Sequence, residues 1–161
     1  MNKKNGITFD EAIAFIWAEA DVLDRRAYST WLDLWADDGL YIIPIESDVD
    51  DYATVLNYIY DDARMRRMRV ARLTSSNSMA ATTVAETVRT VSRFVKTGSE
   101  NTGIEIRAAQ HLAEYKRAKH RLVPATLDIE LRRHNGKIKM VRKVVTLASR
   151  ADGIQGIAYL L

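Results

Sequence analysis

Residues 24–44, DRRAYSTWLDLWADDGLYIIP, decide how this chain is read. Tyr28, Trp31, Leu32 and Trp35 recur at three- and four-residue steps, so a helix stacks them on one face. Beyond Asp37-Asp38-Gly39 the sequence is too apolar and β-branched for a loop, and it predicts a strand over 40–45. Gly39 supplies the permissive backbone at which the chain leaves the helix. The segment predicts a wide aromatic face laid on a sheet.

Upstream, Thr8-Phe9-Asp10-Glu11 reads as a capping box that starts a helix. Phe9, Ala12, Ile13, Ile16, Trp17, Ala20, Leu23 and Ala27 trace its apolar stripe, with Asp10, Glu11, Glu19 and Arg26 off it or at its edge. Downstream, ESDVDDY at 46–52 reads as an acidic turn, and a second strand over 54–60 makes a hairpin with the first. Asp61 is placed to cap a third helix over 62–73, DARMRRMRVARL, with Met65, Met68 and Arg72 on one side and Leu73 nearby. The small polar stretch 74–83, TSSNSMAATT, reads as a loop.

From residue 84 the chain reads as long strands. Ile104, Ile106, Ala108 and Leu112 alternate with Glu105, Arg107 and His111, and Leu127, Ile129 and Leu131 alternate with Asp128, Glu130 and Arg132. Each strand has one buried face. Asn135-Gly136 accepts the positive backbone angles of a two-residue hairpin, joining that strand to one over 137–147. Pro124 marks a strand start, an edge or a bulge. Helices first and an antiparallel sheet afterwards make an α+β fold, with the helices covering one face of a strongly curved sheet. Its length of 161 residues, 47% hydrophobic and 28% charged, fits a single domain over 1–161.

Composition narrows the function classes. The absence of cysteine removes disulfides, thiolate metal sites and cysteine nucleophiles from this chain. The N-terminus lacks an apolar run behind its lysines and no window approaches a membrane span, so a cytoplasmic protein is the expectation. A net charge of +3 does not suggest a nucleic-acid partner.

Asp24-Arg25-Arg26-Ala27-Tyr28, then Trp31-Leu32, Leu34-Trp35, Asp37-Asp38, Tyr41 and Pro44 resemble the small (β) subunit of aromatic-ring-hydroxylating dioxygenases. Tyr60-Asp61-Asp62 followed by Arg69-Val70-Ala71-Arg72-Leu73 resembles that family's second motif pair, in the same order. The stretch 74–83 departs from the acidic, proline-containing form usual in the family. The resemblance implies a cystatin-like or nuclear-transport-factor-2-like cone. It further implies an α-subunit partner carrying a Rieske [2Fe-2S] cluster and a mononuclear iron, with a homotrimer of this chain inside an α3β3 hexamer. The β subunit of that family contributes no metal ligand.

The residues agree with a chain that holds no cofactor. A Rieske centre needs two thiolates and two imidazoles, and the mononuclear iron needs two histidines and a carboxylate. Here His111, His120 and His134 lie far apart in sequence without a helical i, i+4 pair. Arg64, Arg66, Arg67, Arg69 and Arg72 spread around a helix instead of forming one groove-directed stripe. With Asp61 and Asp62 beside them, Arg64, Arg67, Arg69 and Arg72 form the candidate subunit interface, because guanidinium groups hold carboxylates with two hydrogen bonds.

The leading expectation is a non-catalytic structural subunit of a terminal oxygenase that cis-dihydroxylates an aromatic ring. The alternative is a stand-alone cone-fold isomerase or dehydratase acting on a small hydrophobic substrate. Its catalytic candidates are Asp24, Tyr28, Tyr41, Tyr58, Arg107 and His111, with Asp24 more readily read as an ion pair beside Arg25 and Arg26. A cone plugged by Trp17, Trp31, Trp35 and the methionines counts against that alternative.

Overall fold

The computed structural model describes residues 6–77, 84–153 and 159–161. Helix α1 (Phe9–Asp24) starts at the expected box: Thr8 Oγ1 accepts from the Glu11 amide at 3.2 Å, and Glu11 accepts from the Thr8 amide at 2.8 Å. Glu11 also accepts from Arg133 at 2.8 Å, which ties the helix start to the sheet. The Thr8 backbone bond and then Arg133 hold its carboxyl below the usual 4.5. A depressed carboxylate stabilises the fold above its unfolded pKa, and that contribution disappears as pH falls through the folded value. The urea midpoint of Glu11→Gln is therefore expected to fall less steeply than wild type as pH drops below 4.5.

Helix α2 (Tyr28–Asp33) is shorter than the aromatic spacing suggested, because Trp35 already opens strand β1 (Trp35–Pro44). The aromatic cluster forms across this helix-to-strand corner. Trp31 meets Trp35 and Tyr41 edge-on at 5.4 and 5.5 Å, and all three rings are buried. Gly39 lies inside β1, not at a helix end. A Cβ there would sit 2.8 Å from the Trp35 ring and 3.0 Å from the Met140 carbonyl, so the position is glycine for space.

Strand β2 (Asn57–Asp61) returns antiparallel to β1, as a hairpin predicts, but begins three residues later than expected, after a 3-10 turn at Tyr52–Thr54. Helix α3 (Ala63–Asn77) runs beyond residue 73. The loop expected over 74–83 is therefore helical through Asn77, and its remainder lies outside the described residues. Strands β3 (Glu86–Ser99), β4 (Gly103–Lys116), β5 (Lys119–His134) and β6 (Lys137–Leu147) complete one sheet of order β2-β1-β6-β5-β4-β3. All neighbours are antiparallel except β1 beside β6.

The strand alternation holds. Ile104, Ile106, Ala108 and Leu112 are buried with Leu127, Ile129 and Leu131 on the face that α1 covers. Asn135 and Gly136 take φ of 50° and 77° in the β5–β6 turn. The Pro124 carbonyl accepts from Ala148 just past the end of β6. Since the N–H and C=O of a strand residue share a side, the donor that proline lacks would face no strand. Register shifts in β3 after Ser92 and after Lys96, with Arg93 at φ 53°, bend the free edge of the sheet over α1.

The stripe on α1 is displaced from the expected one. Trp17 is 55% exposed and only partly covered by Phe94 and its bond to the Val91 carbonyl, whereas Glu19 is buried. Glu19 faces Lys143 of β6 at 2.6 Å, with neither side chain reaching solvent, and accepts from Trp31 Nε1 at 3.0 Å. Sequence spacing missed this because a charged partner on β6 turns an edge position of the helix into a core position. Burial holds the Lys143 ammonium below its ordinary range, and Glu19 is the main group opposing that shift.

Candidate subunit interface

Helix α3 is capped by Asp62, not Asp61: Asp62 Oδ1 accepts from the Met65 amide at 2.9 Å. Asp61, the last residue of β2, is buried and accepts from Arg69 Nε at 2.6 Å and Nη2 at 3.1 Å. This two-point pair raises the Arg69 guanidinium above its ordinary value and clamps α3 to the sheet edge. The inward face carries Arg66 and Val70, with Arg69 and Leu73 partly covered. Of the residues expected on one side of the helix, Met65 is half-buried and Met68 and Arg72 lie exposed.

Arg66 is the unexpected residue of this helix. Its guanidinium stacks on Trp35 at 4.2 Å and donates to the carbonyls of Gly39, Asp61 and Ala36. Among the described residues no carboxylate forms an ion pair with it, and burial lowers its pKa to about 10. The only sequence signal was the coincidence of Trp35, Gly39 and a basic helix. Beside it opens a recess of about 240 Å³ lined by Trp35, Ala36, Arg66 and Arg67, with Ser29, Asp33 and Asp37 toward its mouth. Of the candidate interface residues, Arg64, Arg67, Arg72 and Asp62 are exposed on the outer side of α3, whereas Asp61 and Arg69 pair beneath it.

The candidates for catalysis do not converge on a pocket. Asp24 is paired neither with Arg25 nor with Arg26, whose partners are Asp21 and Glu86. Its carboxylate accepts from Thr87 Oγ1 at 3.0 Å, from the Arg89 amide at 2.8 Å and from the buried Arg89 guanidinium. Arg89 also donates to the Leu160 carbonyl, while the Tyr41 hydroxyl donates to the Leu161 carbonyl and accepts from its amide. Leu160 and Leu161 are buried in one hydrophobic core with Trp31, Tyr41, Leu112, Leu127 and Leu131. Tyr28 is buried in that core, and Tyr58 donates to the Arg150 carbonyl at 2.6 Å. Arg107 and His111 lie on the outer side of the sheet, Arg107 paired with Asp128. His120 stacks against Tyr115, and His134 is exposed beside Asn135. Among the described residues no cluster of three or more histidines, cysteines or carboxylates is placed to hold a metal ion.

This curved sheet, with its helices on one face and its aromatic corner, defines a class. Residues 18–151 match the family described as ring hydroxylating beta subunit, and the chain belongs to that family. It is 30% identical over 111 residues, 66% of its length, to the 2-halobenzoate 1,2-dioxygenase small subunit of Burkholderia cepacia, of which 67% is covered. The β subunit of benzoate 1,2-dioxygenase from Burkholderia mallei superposes with a TM-score of 0.82 at 20% identity, covering 99% of this chain and all of that one. An NTF2-like protein with a cystatin-like fold from Novosphingobium aromaticivorans superposes at 0.62 and 14% identity, over 91% of this chain and 83% of its own. The expected cone is thus the observed fold. The chain is a small subunit of an aromatic-ring dioxygenase, an oxidoreductase of several subunits, and a small subunit implies a large one. No helix is long and apolar enough to cross a membrane.

Proposed function

We propose that this chain is a non-catalytic scaffold of the terminal oxygenase, holding a large α subunit that carries a Rieske [2Fe-2S] cluster and a mononuclear iron. The α subunit would do the chemistry, adding both atoms of O₂ to an aromatic ring as a cis-dihydrodiol. Three copies of each subunit would make the complex, in the cytoplasm. The observation that carries the reading is the pairing of the buried groups: the ionisable side chains most suited to catalysis, Glu19, Asp24, Lys143 and Tyr41, are held by partners within the protein among packed leucines. The donor set of the chain fits neither metal centre, since it has no cysteine and its three histidines are scattered. On the exposed side of α3, Arg64, Arg67 and Arg72, with Asp62 at its start, are the residues assigned to contact another subunit, and Asp61–Arg69 fixes the angle at which they stand.

Coexpression with a large subunit of the same family tests this. The two chains are expected to elute together at the mass of a hexamer, with ring dihydroxylation that disappears when this chain is left out. A large subunit that assembles and turns over fully without this chain overturns the proposal.

A further inference from the structure

We propose that the recess between the α2–β1 corner and α3, with Arg66 and Arg67 in its wall, is a receptor for a side-chain carboxylate of the large subunit. The inference rests on the reading of the chain as a scaffold for that subunit. Two polar side chains that line the recess are more than nine-tenths buried and hold an N–H without an acceptor, Trp35 at Nε1 and Arg66 at Nε. A buried donor without an acceptor is costly and uncommon, and each such group asks for a partner. Arg66 is besides a cation whose hydrogen bonds go to carbonyl dipoles, and no ion pair among the described residues neutralises its charge. A carboxylate in the recess supplies the missing charge.

The surroundings extend the argument. Elsewhere Arg25, Arg26, Arg89, Arg107, Arg132 and Arg133 hold ion pairs, while among the described residues Arg150 bonds only the Leu147 carbonyl and the Ser47 hydroxyl. On α3, among the described residues, Arg69 alone holds an ion pair; Arg64, Arg67 and Arg72 stand exposed without one, on either side of Met68, which is 44% exposed. Arginine and methionine are enriched where proteins meet, and an apolar centre ringed by cations fits an acidic surface with an aliphatic contact in its middle. Asp33 and Asp37 oppose an incoming carboxylate at the mouth. Both are exposed and screened by water, whereas Arg66 acts from the buried wall, where a charge is felt more strongly.

The test is binding of the full chain to the coexpressed and separately purified large subunit, by surface plasmon resonance at several salt concentrations. Three variants are compared: the triple reversal Arg64→Glu, Arg67→Glu and Arg72→Glu; Ser29→Trp, which fills the mouth of the recess; and Arg25→Glu on α1 as a control. The first two are expected to weaken binding about a hundredfold or more with unchanged circular dichroism and melting, the control to bind as wild type. The triple variant is also expected to lose most of the salt dependence. Wild-type affinity in the triple variant or in Ser29→Trp overturns the assignment of the recess while leaving the scaffold reading in place. A wild-type chain that binds no large subunit overturns both.

Discussion

Lys143→Met is expected to destabilise the chain by about 3–5 kcal/mol, because it leaves the Glu19 carboxylate buried in the core without its cation. For a chain of this size the melting temperature should fall by roughly 10 °C. The pair is not an asset that any apolar pair would match, since Glu19 is also the acceptor for Trp31 Nε1. The double variant Glu19→Gln with Lys143→Met keeps that acceptor and removes both charges, so it should recover most of the loss. Glu19→Leu with Lys143→Met strands the indole N–H and should recover less, by about 1–3 kcal/mol. Urea unfolding followed by tryptophan fluorescence ranks the three variants. A Lys143→Met chain within about 1 kcal/mol of wild type would show that the pair is hydrated and not part of the core.

Asp24→Ala is expected to cost a similar amount, about 3–5 kcal/mol, for a different reason. Arg89 is almost wholly buried and Asp24 is its ion-pair partner, while the same carboxylate holds Thr87 and the Arg89 amide. Losing it frees a buried guanidinium that also grips the Leu160 carbonyl, so the closure of the cone by residues 159–161 should loosen. The Leu161 amide, held by Tyr41, should exchange its hydrogen faster in Asp24→Ala than in wild type. Asp24→Asn keeps one acceptor, for the Arg89 amide or for Thr87 but not for both, and should cost less than Asp24→Ala. Equal exchange at Leu161 in all three chains would separate the tail from the Asp24–Arg89 pair.

What local sequence could show was what local physics controls. The capping box at Thr8, the alternation through β4 and β5 and the Asn135-Gly136 turn depend on neighbours within a few residues, and each stands as read. The errors share one cause, a partner distant in sequence. Helix α2 stops early because Trp35 joins a ladder beside Met140, and Glu19 is buried because Lys143 meets it. Asp61 is a clamp instead of a cap because Arg69 reaches back over it. For the candidate interface, the sequence showed that arginines crowd one helix; it did not show that Arg66 turns inward onto Trp35 while its neighbours face solvent.

By itself, then, the sequence determined an α+β chain, the two-motif resemblance to ring-hydroxylating small subunits, and the absence of thiolate chemistry, because these follow from periodicity, spacing and composition. Only the tertiary structure decided that the buried charges are paired within the fold, and that a recess with two unaccepted donors in its walls lies beside α3. Burial and pairing of charge depend on which strands and helices are brought within a few ångströms of each other, and that is a property of the packed chain, not of any stretch of it.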